Sequence, residues 1–149
     1  MKQLFWVAML ALVFLAAVIG CSRAPQSHRG IRVDVTNYNQ AVDITANVLQ
    51  TYFDIDAVDR AVPVSTIHSK PKEFREMERV ERRTAIATIT KIEERVAEIE
   101  VAVWYQRDMS NTGYDTGSAA NRAWGERTAD STLERKILLD IQAAFNQIK

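Results

Sequence analysis

RRTAIATITKIEERVAEIEVAVWYQR, residues 82–107, is compatible with two folded forms, and the choice between them decides the architecture. Ala85, Ile89, Ile92, Val96, Ile99 and Val103 recur at alternating intervals of four and three, which is the seam of a heptad helix. The residue chemistry opposes this. Thr84, Ile86, Thr88, Ile89, Thr90, Ile92, Val96, Ile99, Val101 and Val103 are all β-branched. Such side chains are stiff at χ1, lose freedom in a helix and suit a pleated surface. Ile99, Val101, Val103 and Tyr105 also alternate with Glu98, Glu100 and Ala102, a strand period. Glu93-Glu94-Arg95 is a polar break placed for a turn, though without the glycine that a tight hairpin prefers. The stretch is therefore expected to be a long β-hairpin.

Upstream, Ile31–Thr36 alternates apolar and polar residues as a short strand does. Asn37 and Gln40 are spaced as a capping box, and Ala41, Ile44, Val48, Leu49, Tyr52 and Phe53 form a helical stripe, with Asp43, Asn47 and Gln50 outside it. The helix should end near Phe53 or Asp54. Ile55–Arg60 and Val62–His68 follow as short strands, and Pro63 makes the second begin late or lie at an edge. Ser69–Glu81 (SKPKEFREMERVE) is charged on most sides, with Phe74, Met77 and Val80 three apart. That spacing predicts a crossing loop with a helical turn. Downstream, residues 108–127 are rich in Asn, Gly, Ser and Asp around Tyr114 and Trp124, longer than an ordinary connection. Ser131-Thr132-Leu133-Glu134 is a capping box, and Leu133, Ile137, Leu138, Ile141, Ala144, Phe145 and Ile148 stripe the helix behind it. This order predicts one α+β domain over residues 31–149: an antiparallel sheet of three to five strands, with two helices packed on one face.

The chain begins MKQLFWVAMLALVFLAAVIGC, with Lys2, an apolar run from Leu4 to Ile19, and Gly20 before the one cysteine of the sequence. A basic start, an apolar middle and small residues at the end are the pattern of a secretory signal peptide. An apolar run of this length could instead be a permanent transmembrane helix, which needs about 17–25 residues. Polar sequence directly after Cys21 favours the signal peptide. Val18-Ile19-Gly20-Cys21 resembles the lipobox of bacterial lipoprotein precursors. The resemblance implies cleavage after residue 20, diacylglycerol on Cys21 and an acylated new amino terminus. Several acyl chains hold a protein on a membrane where one chain binds marginally. By the sorting rule the family brings, Ser22 in place of aspartate implies the outer membrane over the inner one; the periplasmic face is the expected side, with the cell exterior as the alternative. Residues 21–30, polar and carrying Pro25 and Gly30, would be a lipidated tether. Loss of Lys2 leaves 18 basic against 19 acidic residues, a balance that gives no footprint for nucleic acid.

The succession of a helix, YFDIDAVDR, a strand, RRTAIATI, VAEIEVAVWYQR and a capped terminal helix resembles a class of small bacterial lipoproteins with no assigned activity. It is also similar to the helix-grip domains of the lipoprotein C component of the outer-membrane β-barrel assembly machine, over about two thirds of the chain. The segment around Pro63 departs from that pattern, where a glycine turn would stand.

Each class of chemistry asks for its own residues at its own spacing. His28 and His68 have no partner at ligand spacing, so no metal is expected. No serine sits in a nucleophile elbow, and Cys21 is assigned to the anchor. Asp54 and Asp56 would share one strand face and Asp59 the other, which suits solvated charges better than an acid/base pair. No glycine-rich phosphate loop is present, and no cofactor is implied. Trp104, Tyr105, Arg107, Tyr114, Arg122, Trp124 and Arg127 gather in and beside the polar loop, and Trp, Tyr and Arg dominate interface hot spots. The plainer alternative has Tyr105 facing the core and Trp104 capping the opposite face. The expectation is a non-catalytic binding or scaffolding module, held on the membrane through Cys21 and touching an envelope protein or peptidoglycan. A carrier of lipid or another amphipath between helices and sheet is the alternative, ahead of a hydrolase.

Overall fold

The computed structural model describes residues 30–76, 79–110 and 122–148. In chain order these form β1 (Ile31–Asp34), α1 (Tyr38–Gln50), β2 (Ile55–Asp59), β3 (Val64–Ser69), β4 (Lys72–Glu76), β5 (Arg79–Glu93), β6 (Val96–Arg107), β7 (Thr128–Ala129) and α2 (Ser131–Asn146). The fold is α+β, an open antiparallel sheet of seven strands with two helices. Seven exceeds the three to five expected. The additional strands are β4, in a segment expected to be a crossing loop, and the two-residue β7.

Residues 82–107 are a hairpin. β5 and β6 pair from Glu81↔Arg107 to Glu93↔Val96, with Ala87↔Val101 and Ile89↔Ile99 near the middle. The turn falls at Glu94-Arg95, and a bulge between Lys91 and Glu93 precedes it. The heptad seam fails at its own centre, because Ile92 is 42% exposed and Val96 is only half-buried beside the turn. Ala87, Ala97 and Val101, which a heptad would turn away from its seam, are fully buried with Ile89 and Ile99. A period of two orders this surface.

Both helices cover the odd-numbered side of the hairpin. Ala41, Val42, Ile44, Leu49 and Phe53 of the α1 region join Ile137, Leu138, Ile141 and Phe145 of α2 against Val33, Ile67, Ala85, Ala87, Ile89, Ala97, Ile99, Val101 and Val103. Each large aliphatic or aromatic side chain in such a layer stabilises by about 1.5–3 kcal/mol relative to exposure. The three strand alanines let the helices sit close. α1 begins as expected: the Asn37 side chain accepts from the Gln40 backbone N–H at 2.9 Å. The Gln40 side chain reaches back to the Thr36 N–H at 2.8 Å, one residue before the cap. α2 is capped one residue earlier than expected. Asp130, not Ser131, is its N-cap, with Oδ1 accepting from the Leu133 N–H at 3.1 Å.

Each outer flank of the hairpin is met by two short strands in line. β3 pairs with β5 through residues 86–90 and β4 through residues 79–83. Between them Pro71 has no N–H to offer, and the Ser69 hydroxyl accepts the Ala85 N–H at 2.8 Å. On the other flank β1 pairs with Val96–Ile99 of β6 and β7 with Trp104 and Tyr105. Here the Glu134 carboxylate, 4% exposed, accepts the Val103 N–H at 3.0 Å. The Asp130 N–H donates to the Val103 carbonyl at 2.8 Å. A buried backbone group without a partner is costly, so one side chain closes each gap.

The crossing loop expected over residues 69–81 is thus corrected to a hairpin. Glu73 stands opposite Arg82, and opposite charges across strands favour pairing. Pro63 delays β3 to Val64 but does not set it at an edge, since β3 lies between β2 and β5. The Val62–Pro63 peptide bond is cis. Gly30, leading into β1, passes so close to β6 that a Cβ there would lie 2.9 Å from the Ile99 carbonyl oxygen and 2.8 Å from Glu100 Cγ. Glycine is required by that approach.

Candidate functional site

At the open end of the hairpin, away from its turn, β4, β5, β6 and residues 122–125 converge. Arg82 on β5 pairs with Gln106 on β6. Its Nε donates to Gln106 Oε1 at 2.9 Å, and its guanidinium carbon lies 4.4 Å from the centre of the Trp124 ring. Gln106 passes the tie on, its Nε2 donating to the Gly125 carbonyl at 2.8 Å. The chain returning to this corner runs beside the end of β6. Met109 N–H donates to the Ala123 carbonyl at 2.7 Å and Gly125 N–H to the Arg107 carbonyl at 2.8 Å, either side of an Asp108↔Trp124 bridge.

Arg122 locks the same corner. It donates to Glu73 at 2.5 Å and lies 3.4 Å from Asp108 Oδ2, with its side chain 16% exposed. The Ser110 hydroxyl, then the Ser110 backbone N–H, both donating to Oδ1, hold the Asp108 carboxyl below its usual range, and Arg122 acts in the same direction. A guanidinium on an indole is attractive by about 0.5–2 kcal/mol, and here the amide of Gln106 fixes its plane. The result is an indole and a guanidinium stacked on a rigid support, with Arg122 balanced by Glu73 and Asp108.

The residues singled out in the sequence divide between two faces. Trp124 and Arg122 meet at this corner, and Trp104 lies two residues from Gln106 on the same side of β6. Tyr105 and Arg107 belong to the opposite, helix-bearing side. There Arg107 Nε lies 3.0 Å from Glu81 Oε1, its guanidinium 5.5 Å from the Tyr105 ring. Arg83 continues this row to Glu81 at 3.5 Å, to Asp130 at 3.6 Å and over Phe74 at 4.9 Å. Arg127 is exposed. Cys21, His28 and Tyr114 lie outside the described residues. Arg82 and Gln106, which hold the corner together, were not found from the sequence. A turn at Glu94-Arg95 alone would set Arg82 opposite Arg107; the bulge between Lys91 and Glu93 shifts the register by one and brings Gln106 there instead.

His68 is exposed on the uncovered side of β3, opposite Ile86 and Ala57. A bulge between Ile55 and Ala57 falls at Asp56 and interrupts the alternation that placed Asp56 and Asp59 on opposite faces. Among the described residues no three His, Cys, Asp or Glu side chains are disposed to hold a metal. No family model, curated protein or solved structure matches this chain.

Proposed function

We propose that the chain is a lipoprotein of the bacterial envelope, acylated at Cys21 after cleavage of residues 1–20 and held on the periplasmic face of the outer membrane as a non-catalytic binding module. Its partner is an envelope protein or peptidoglycan, and the contact is the corner of Arg82, Gln106, Arg122 and Trp124. The carrying observation is the Arg82 guanidinium on the Trp124 ring at 4.4 Å, tied by Gln106 to Gly125. Interface energy concentrates in Trp and Arg held rigidly on a scaffold. The lipobox VIGC supports the anchor, and among the described residues no helix is long and apolar enough to cross a membrane.

Crosslinking in native membranes tests this, with wild type, Trp124→Ala and Cys21→Ser compared. The expected result is one enriched partner whose yield falls at least tenfold in Trp124→Ala. Cys21→Ser should leave the membrane pellet. Equal capture by the Trp124→Ala variant refutes the contact, and a Cys21→Ser protein that still matures and pellets refutes the anchor.

A second reading, carriage of an amphipath, is favoured by a cleft of about 390 Å³ where the β1–α1 junction meets the C-terminal end of α2. Val35, Phe145 and Ile148 supply apolar wall, with Arg95, Thr36 and Gln40 at its polar side. Native mass spectrometry that finds no lipid on the purified protein removes this reading.

A further inference from the structure

β1 enters the sheet from the direction of the hairpin's open end. Ile31, its first residue, stands level with Ile99, and Asp34, its last, level with Val96 beside the turn. Nine peptide steps separate Cys21 from Gly30, about 30 Å at full extension. From Glu100, which Gly30 abuts, β6 runs on to Arg107, about 23 Å. A membrane that holds Cys21 is therefore within reach of the open end. On the helix-bearing side of that end Lys72 and Arg107 of the strands and Arg135 and Lys136 of α2 are exposed. The acids among them lie lower and are committed. Glu81, its side chain 18% exposed, pairs with Arg83 and Arg107. Asp130, 16% exposed, caps α2 and faces Arg83, and buried Glu134 accepts the Val103 N–H. Asp54 and Asp140 are exposed at the margin, Asp140 bound by the Tyr52 hydroxyl. Away from this end exposed charge is mostly acidic, as at Asp56, Asp59, Glu93, Glu94 and Glu100. A chain of zero formal charge is thus polarised along its hairpin.

We infer that the helix-bearing side of the hairpin's open end docks on an anionic phospholipid leaflet, the one that carries the anchor. The inference rests on the anchor proposed above for nearness to that leaflet, and on charge for orientation. A negative surface attracts the open end and repels the turn. Each exposed Lys or Arg adds a modest attraction near anionic lipid, too little to hold a free domain. On a short tether the contact is intramolecular, and modest attraction then suffices. The chemistry beneath the cations suits lipid. The Lys72 ammonium and the Arg83 guanidinium lie 5.7 and 4.9 Å from the Phe74 ring, Arg107 lies 5.5 Å from Tyr105, and Lys136 5.5 Å from Tyr52. All three rings are half-buried. Aromatic bodies under charged heads match the boundary where acyl chains give way to headgroups. The corner of Arg82 and Trp124 is on the opposite side of the sheet, so docking leaves it open to its partner.

The test places full-length protein, purified from membranes, in vesicles of phosphatidylcholine alone or of equal parts phosphatidylcholine and phosphatidylglycerol, each with a nitroxide-headgroup lipid as quencher. A fluorescent amino acid stands either at Ser131, at the open end, or at Glu94, at the turn. With phosphatidylglycerol present, quenching at Ser131 should exceed that at Glu94 at least threefold. It should fall at least threefold in phosphatidylcholine alone and in high salt, which screens exposed charge. Arg135→Glu with Lys136→Glu, both exposed, should lower it as much while far-UV circular dichroism stays native; if this variant fails to fold, the lipid and salt arms still decide. Trp124→Ala should change it less than twofold. Intact mass reports acylation of Cys21. If that thiol is unmodified, the anchor reading fails alone, and the same chain is coupled through Cys21, its one cysteine, to a maleimide lipid and read as before. Equal quenching at Ser131 and Glu94, quenching indifferent to phosphatidylglycerol and salt, full quenching in a folded Arg135→Glu with Lys136→Glu variant, or docking that needs an added membrane protein overturns the inference.

Discussion

Along β5 the covered positions Ala85, Ala87 and Ile89 are at most 1% exposed, while Ile86, Thr88 and Thr90 between them are half-buried. The same contrast runs along β6, where Ala97, Ile99, Val101 and Val103 are fully buried and Glu98, Ala102 and Trp104 are not. One pair of strands thus serves two masters. Its covered side mixes alanines with larger aliphatics, all packed in one core with the two helices, as close packing demands. Its uncovered side needs only to stay pleated, so its composition is free to carry contacts with something outside the chain.

The sharpest way to break this contrast is truncation on each side. Ile99→Ala, fully buried among both helices and β1, should lose about 2–4 kcal/mol in denaturant unfolding because a cavity remains. Ile86→Ala, on the other side of the same hairpin, should lose less than about 1 kcal/mol in dilute protein. Equal losses would mean that the two sides are covered alike. The next effect lies where sheet meets helix. Glu134→Ala leaves the Val103 N–H without its acceptor in a buried place and should cost about 1–3 kcal/mol, whereas Glu134→Gln keeps an acceptor oxygen and should retain most of the stability.

The smallest effect sharpens the comparison at the helix layer itself. Burial first, then the hydrogen bond to Asp140 and the charge of Asp140, push the Tyr52 hydroxyl up to about 12 from 10.0. The phenol is held protonated more tightly in the folded chain, so its contribution is complete below pH 10 and fades as pH rises towards 12. Tyr52→Phe should therefore unfold with a shallower loss of stability between pH 10 and 12 than wild type. Identical alkaline limbs would show that the clamp between α1 and α2 contributes nothing.

Much of this architecture is legible in short-range patterns of residues. The hairpin at 82–107, its turn, and the two helix stripes follow from β-branching and periodicity, which are local properties. The residues missed share a different character. β4 hid because Phe74, Met77 and Val80 mimic a helical spacing, while the register sets acidic Glu73 opposite basic Arg82. The capping box at Ser131 misled by one residue because Glu134, its expected reciprocal partner, is drawn to the Val103 N–H. Of the residues named for binding, Trp124 and Arg122 lie at one corner, and strand parity divides Tyr105 and Arg107 from them.

By itself the sequence determined that residues 82–107 pleat, that α1 and α2 form, and that their apolar stripes need one sheet face to cover. Those outcomes depend on neighbours within a few positions, where side-chain shape and hydrogen-bond spacing act directly. Only the tertiary structure decided that β1 pairs with β6, that Ser69 and Glu134 patch the two gaps in the flanks, and that Arg82 lies on Trp124. Each joins groups at least 16 positions apart, and a chain of side-chain preferences holds no record of which distant backbone groups will be left wanting a partner.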